Sequence, residues 1–194
     1  MVCKLQLVAV FLILIAMKTL LIIGAILLFM GGLSAQESKK GKETKAEKVV
    51  RIESEYQSMA RLIDDKQFIL EADFRSDKYG MRFPTTSMLN FIKVDSALAV
   101  IQTGRNSGIG VNGVGGLTAE GRISNWKVSK DSKRKTFVIS MNVMTALGPF
   151  DIFINVSASG YASAIMSGTT SGKLNFQGRL ISIPDSKIYQ GSTI

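Results

Sequence analysis

Two apolar runs open the chain, broken by Lys4, Gln6, Lys18 and Thr19, and they end in Gly31-Gly32-Leu33-Ser34-Ala35. From Met17 onward the order is that of a secretory signal peptide. Met17-Lys18 is the positive start, Leu20 to Met30 the apolar stretch, and the small residues up to Ala35 the cleavage site. Translation is expected to begin at Met17, because residues 1–16 add nothing to targeting. Lys18 falls near the middle of the combined run, where a charge is costly in a bilayer, so the reading is cleavage with no membrane span left afterwards. Gln36 to Lys48 carries no large apolar side chain and reads as a disordered tether. Val49, Ile52, Tyr56, Met59, Ala60 and Ile63 then recur at helical spacing, with Arg51, Glu55, Ser58 and Arg61 between them. They predict one amphipathic helix ending near Asp64-Asp65.

Beyond the helix the period changes to two. Phe68, Leu70, Ala72 and Phe74 alternate with Ile69, Glu71, Asp73 and Arg75, and after a break at Tyr79 to Pro84 come runs at Ser87 to Val94 and Ala97 to Thr103. Asp95-Ser96 joins those two as a hairpin. Further strands are expected at Gly121 to Val128, Lys135 to Thr145, Phe150 to Ser157, Tyr161 to Ser167 and Lys173 to Ile181. Their connections are too short for crossover helices, so neighbours run antiparallel. Phe137, Ile139, Met141 and Val143 share a face, as do Phe150, Ile152, Ile154 and Val156, and Leu174, Phe176 and Leu180, while Lys173, Asn175, Gln177 and Arg179 take the opposite side. The expected fold is α+β and mostly β: the helix lies on a curved antiparallel sheet, or open barrel, of about eight strands with one dry face. Residues 49–194 form a single domain, of a size that buries a full core without staples.

Composition narrows the chemistry. The chain has no histidine and one cysteine, Cys3, which lies ahead of the cleavage site. That excludes imidazole bases, Ser-His-Asp and Cys-His triads, His-ligated zinc or haem, and thiolate cages; no metal, cofactor or catalytic residue is expected. Export is read from the signal segment, which puts the product in the periplasm or outside the cell. The formal charge is +9, and both Lys4 and Lys18 are lost with the leader while every acid remains. A basic surplus therefore survives and favours an anionic envelope component, or a protein, as partner. Lys127, Lys130, Lys133, Arg134 and Lys135 cluster around one turn, but Trp126 alone is aromatic beside them, so this is a solvated hairpin tip and no nucleic acid is expected.

Gly104 to Gly116 holds six glycines in thirteen residues, and Gly108, Gly110 and Gly113 fit GxGxxG. A dinucleotide site needs a following helix, and here Leu117 leads into a strand. The segment instead reads as a long loop whose glycines supply positive φ or close approach. As the variable contact of a binding module it offers Arg105, Asn106, Gly108, Gly110, Asn112 and Gly113, with Trp126 added as an aromatic. The alternative is a small hydrolase of glycans or peptides using Glu71 and Asp73, two residues apart on one strand face. With Arg75, those acids also occupy the polar positions of the alternation, where solvent-facing charges belong.

Phe91-Ile92-Lys93-Val94-Asp95, Gly110 to Leu117, Gly121-Arg122-Ile123-Ser124-Asn125-Trp126, Lys135 to Val143 and Phe176-Gln177-Gly178-Arg179-Leu180 occur in an order that resembles the bacterial domain-of-unknown-function family 4251. Its members are small exported proteins, found largely in the Bacteroidetes, and the resemblance covers roughly Val49 to Leu180. It implies an exported single domain with no assigned activity, cofactor or catalytic residue. Where members tend to place aromatics beside the Gly-rich segment, this chain has Ile101, Gln102 and Arg105. Together these signals lead to the expectation of an exported, non-enzymatic binding or envelope-associated module.

Overall fold

A computed structural model describes residues 43–76, 79–105, 110–168 and 172–193. The signal segment expected over residues 1–35 and most of the expected tether lie outside the described residues. The chain divides into two units, Met1–Glu43 and Thr44–Ile194, and the second of them carries the whole of the helix and sheet.

Helix α1 spans Lys45–Asp64, so it begins four residues ahead of the apolar periodicity and takes in Lys45 to Lys48 from the expected tether. The cause is local. Thr44 is the N-cap and Glu47 stands three residues on; the Glu47 amide donates to Thr44 Oγ1 at 3.3 Å, and the Thr44 amide donates to Glu47 Oε2 at 2.9 Å. This capping box satisfies two amides that the first turn leaves without partners. At the other end the acid Asp64 opposes the helix dipole, and Lys130 Nζ meets its carboxylate at 2.6 Å.

Nine strands come after it: β1 (Gln67–Ser76), β2 (Arg82–Pro84), β3 (Phe91–Asp95), β4 (Leu98–Thr103), β5 (Leu117–Asp131), β6 (Thr136–Thr145), β7 (Gly148–Ser157), β8 (Tyr161–Gly168) and β9 (Gly172–Ser182). Each pairs antiparallel with its neighbour, and β9 returns to β1, closing β1 and β3 to β9 into a barrel of eight strands. The fold is therefore mostly β and antiparallel, as the alternation predicted, with closure added by the β1–β9 seam. Phe137, Ile139, Met141, Val143, Ile152, Ile154, Phe176 and Leu180 face inward and are buried. β2, which falls within the expected break, extends β1 past the point where β3 ends. β3 begins at Phe91 rather than Ser87, because Met88 and Leu89 form a turn whose following residue, Asn90, is fully buried and bonds through its side chain to Gly104.

The barrel has two unlike ends. At one lie the β3–β4, β5–β6 and β7–β8 turns together with α1, whose Tyr56 ring stacks on Phe137 at 4.7 Å. Tyr56, Met59 and Ile63 are buried there. Lys130 and Lys135 of the basic cluster hold the helix through Asp64 and Glu53, and Lys135 Nζ also lies 4.8 Å from the Tyr56 ring centre. The hairpin tip is thus a clasp in part. At the opposite end lie Gly104, Arg105 and Gly110 to Gly116, the β6–β7 turn, and the ends of β8 and β9 at Gly168 and Gly172.

A second apolar cluster forms outside the barrel. Ile69, Phe91 and Val100 on the outer faces of β1, β3 and β4 are covered by Ile183 and Ile188 of the C-terminal segment. Gln102, also fully buried, fastens that segment: its Nε2 donates to Tyr189 O at 2.8 Å and its Oε1 accepts from the Gly191 amide at 2.8 Å. Strands covered on both faces explain why FIKV and LAVIQ read as apolar runs rather than as clean alternation.

Candidate functional site

The first strand sets the geometry of the open end. Along β1, Phe68, Leu70 and Ala72 face inward, and a continued alternation would turn Phe74 inward as well. The register against β9 instead slips between Ala72 and Phe74, so that Ala72 pairs with Gly178, Phe74 with Gln177 and Arg75 with Phe176. Asp73 is the extra residue of a β-bulge, and the bulge inverts the parity of the residues after it. Phe74 therefore faces outward, its ring covered by the Arg82 guanidinium at 3.7 Å. Arg75 shares the inner face with the fully buried Phe176, which corrects the expectation that it is a solvent-facing charge. The bulge stands where β1 exchanges one neighbour for another. Up to Glu71 it pairs with β3, and from Phe74 with β2, while the Ala72 amide donates to Asn90 O and the Asp73 carbonyl accepts from the Thr85 amide. Gly178 permits it, because a Cβ at that position would overlap the Glu71 carbonyl oxygen.

Arg75 lines a cavity of about 380 Å³ at this end of the barrel, walled chiefly by Ile101, Leu117, Ala119, Phe150 and Met166. Thr103, Gly172, Lys173 and Leu174 complete its border. The size lies within the range of small-molecule sites, which are typically ~300–1,000 Å³ and mostly apolar with a few polar groups. At the other end α1 and its buried Tyr56, Met59 and Ile63 fill the corresponding space, so the two ends differ in filling as well as in shape.

The residues singled out from sequence do not converge on this cavity. Arg105 is exposed, and its amide donates to Val114 O at 2.9 Å. Asn106 and Gly108 lie outside the described residues. Gly110 has φ 49°, and a Cβ there would run into the Gly115–Gly116 backbone, whereas one at Gly113, at φ 75°, would meet open space. Asn112 is 1% exposed and organises the loop. Its Nδ2 donates to Thr103 O and Thr118 Oγ1, and its Oδ1 accepts from the Val114 and Gly116 amides. Trp126 is far from all of these, near the helix end, with its ring 6.3 Å from Phe68 and 5.1 Å from Lys66 Nζ. It borders a separate shallow depression with Asp65, Ser96 and Ile123.

The acidic pair is separated in role. Glu71 accepts a hydrogen bond from Ser186 Oγ of the C-terminal segment. Asp73 is exposed in the bulge, and neither acid borders the open-end cavity. Glu53 has its carboxyl held below the usual range, first by the hydrogen bond from Lys135 and then by that from Gln57; this belongs to the helix clasp. Among the described residues no group of three or more His, Cys, Asp or Glu side chains could hold a metal ion.

The cavity residues left no signal in the sequence that separated them from core. Ile101, Phe150 and Met166 sit on inward positions like any other, and among the described residues no helix covers this end of the barrel as α1 covers the other. Arg75 was hidden by the bulge.

Among curated proteins none is similar to this chain. A crystal structure of a DUF4251 family protein from Bacteroides eggerthii DSM 20697, at 1.95 Å resolution, superposes with a TM-score of 0.56 at 26% sequence identity, covering 69% of this chain and 91% of that one. The family model for the domain of unknown function DUF4251 matches residues 50–180, which takes in most of α1 and every strand except the last two residues of β9. By that match, and by the fold it shares with the Bacteroides protein, the chain belongs to the DUF4251 family.

Proposed function

We propose that this protein is an exported, non-enzymatic binding module and that the cavity at the open end of the barrel is its ligand site. The observation that carries this reading is the contrast between the two ends, one stopped by a packed helix and the other leaving about 380 Å³ between apolar walls. Depressions of about 420 Å³ beside Trp126 and about 470 Å³ along α1 are more open to solvent, and it is the greater enclosure and chiefly apolar wall of this recess that match a small-molecule site. Export to the periplasm or beyond rests on the order of residues 17–35. Among the described residues no helix is long and apolar enough to cross a membrane. A carboxylate-dependent hydrolase has less support, since Glu71 is engaged by Ser186 and Asp73 stands on the outside.

The test uses the full-length gene, expressed in a host that exports the product. The purified protein is expected to carry or take up a small apolar molecule, seen as added mass in native mass spectrometry and as a raised unfolding temperature. Ligand at a hundred times its Kd adds about 2.7 kcal/mol of stability. Ala119→Leu places three more carbons in the cavity and is expected to abolish both signals without unfolding the barrel. If a broad set of small apolar molecules produces neither signal in the unsubstituted chain, the cavity is not a ligand site.

A further inference from the structure

The cavity is walled chiefly by apolar side chains, with Thr103, Arg75 and Lys173 as the polar residues at its border, and the placement of Arg75 is specific. Across the ladder Arg75 pairs with Phe176 on one side and with Phe83 of β2 on the other, so the side chain emerges between two aromatic neighbours on the inner face. Among the described residues no acidic side chain borders the cavity. Among the described residues none forms a hydrogen bond or ion pair with the Arg75 guanidinium. Lys173 adds a second positive residue to the border. A charge facing an apolar enclosure is costly unless it is paired, and a barrel that needed only filling would put an aliphatic side chain there. Here a β-bulge turns the arginine inward, and bulges of this kind re-aim side chains beside functional sites.

We infer that the cavity takes a small single-chain amphiphile with an anionic head, the head paired with Arg75 and the tail lying against Ile101, Leu117, Phe150 and Met166. This rests on the reading of the cavity as a ligand site and specifies its ligand. The planar guanidinium offers parallel donors that match two oxygens of a carboxylate, sulfate or phosphate ester. At roughly 30 Å³ per water-sized group, the volume accommodates about a dozen such groups, which fits a head and a medium-length chain rather than a two-chain lipid.

Isothermal titration of the exported protein with decanoate, decyl sulfate, decanol, decylamine and acetate tests this. Decanoate or decyl sulfate is expected to bind at least about tenfold more tightly than decanol, the usual gain from a hydrogen-bonded charge pair. Decylamine is expected to bind more weakly than decanol, and acetate not measurably. The tighter of the two anions identifies the head as carboxylate or sulfate-like. Arg75→Gln is expected to bring decanoate down to the affinity of decanol while leaving decanol unchanged, and Arg75→Lys to restore part of the difference. The gap between decanoate and decanol in the unsubstituted protein carries the inference even without a folded variant. Equal binding of decanoate and decanol overturns the anionic head and leaves the cavity reading standing. Acetate binding as tightly as decanoate overturns the apolar tail. Failure of all five probes to bind overturns both this inference and the reading beneath it.

Discussion

Replacing Asn112 with alanine separates a structural asparagine from a ligand-contacting one. The side chain is 1% exposed and makes four hydrogen bonds in and around the Gly-rich segment. Nδ2 donates to Thr103 O at 3.1 Å and to Thr118 Oγ1 at 3.0 Å, while Oδ1 accepts from Val114 N at 3.1 Å and Gly116 N at 2.9 Å. Thr118 keeps a second partner, since its hydroxyl donates to Gln102 Oε1. The two backbone amides and the Thr103 carbonyl are left in a space a methyl group cannot satisfy. An orphaned buried group costs about 1–3 kcal/mol, and the nearness of this loop to solvent lets water recover part of that, so Asn112→Ala is expected to cost ~2–4 kcal/mol. In a domain of this size that lowers Tm by roughly 5–15 °C. Urea unfolding is the assay, with the midpoint falling and the slope unchanged. Asn112→Asp keeps both acceptors but turns an oxygen toward Thr103 O, and it is expected to fall between the unsubstituted chain and the alanine variant. A loss below ~1 kcal/mol for Asn112→Ala would refute the structural role and return Asn112 to the set of candidate ligand contacts.

Two further substitutions probe the seam and the clasp. Gly178→Ala places a Cβ against the Glu71 carbonyl oxygen, a backbone atom held by the β1–β9 pairing, and is expected to destabilise the barrel by at least ~2–3 kcal/mol in the same unfolding assay; a neutral effect would mean that the bulge is not built as described. The hydrogen bonds from Lys135 and Gln57 hold the Glu53 carboxyl below the usual carboxylate range, so its contribution to stability is full above the unfolded pKa and is lost as pH falls through the folded one. Glu53→Gln is therefore expected to leave a shallower acid-side decline of the urea midpoint than the unsubstituted chain has, with the difference shrinking in high salt because the pair is exposed. Identical pH profiles would remove Lys135–Glu53 from the forces that hold the helix.

The barrel's layout was legible because its cause is local. Inward Phe137, Ile139, Met141 and Val143, and Phe150, Ile152, Ile154 and Val156, announce themselves by period two, and short turns such as Asp95-Ser96 require antiparallel neighbours. The helix was legible for the same reason, although its true start needed the Thr44-Lys45-Ala46-Glu47 pattern rather than the apolar spacing. The Gly104–Gly116 loop was located correctly as a segment between strands. What its residues do was not legible, because Asn112 finds its partners in Thr103 and Thr118, brought near only when β4 and β5 pair.

By itself, then, the sequence determined most of the strands, their antiparallel order and the dry face of nearly all of them, which come from the alternation of neighbouring side chains and from loop length. Tertiary structure decided the closure of β9 onto β1, the outer cluster of Ile69, Phe91 and Val100 beneath Ile183 and Ile188, and the inward turn of Arg75. The physical reason is parity. A strand's faces can be read from its own residues only while no residue is added to the ladder, and the bulge at Asp73 is imposed by where β3 gives way to β2 on one edge and by the room that Gly178 leaves on the other. The same event that hid Arg75 from a reading of the sequence is the one that brings it to the cavity.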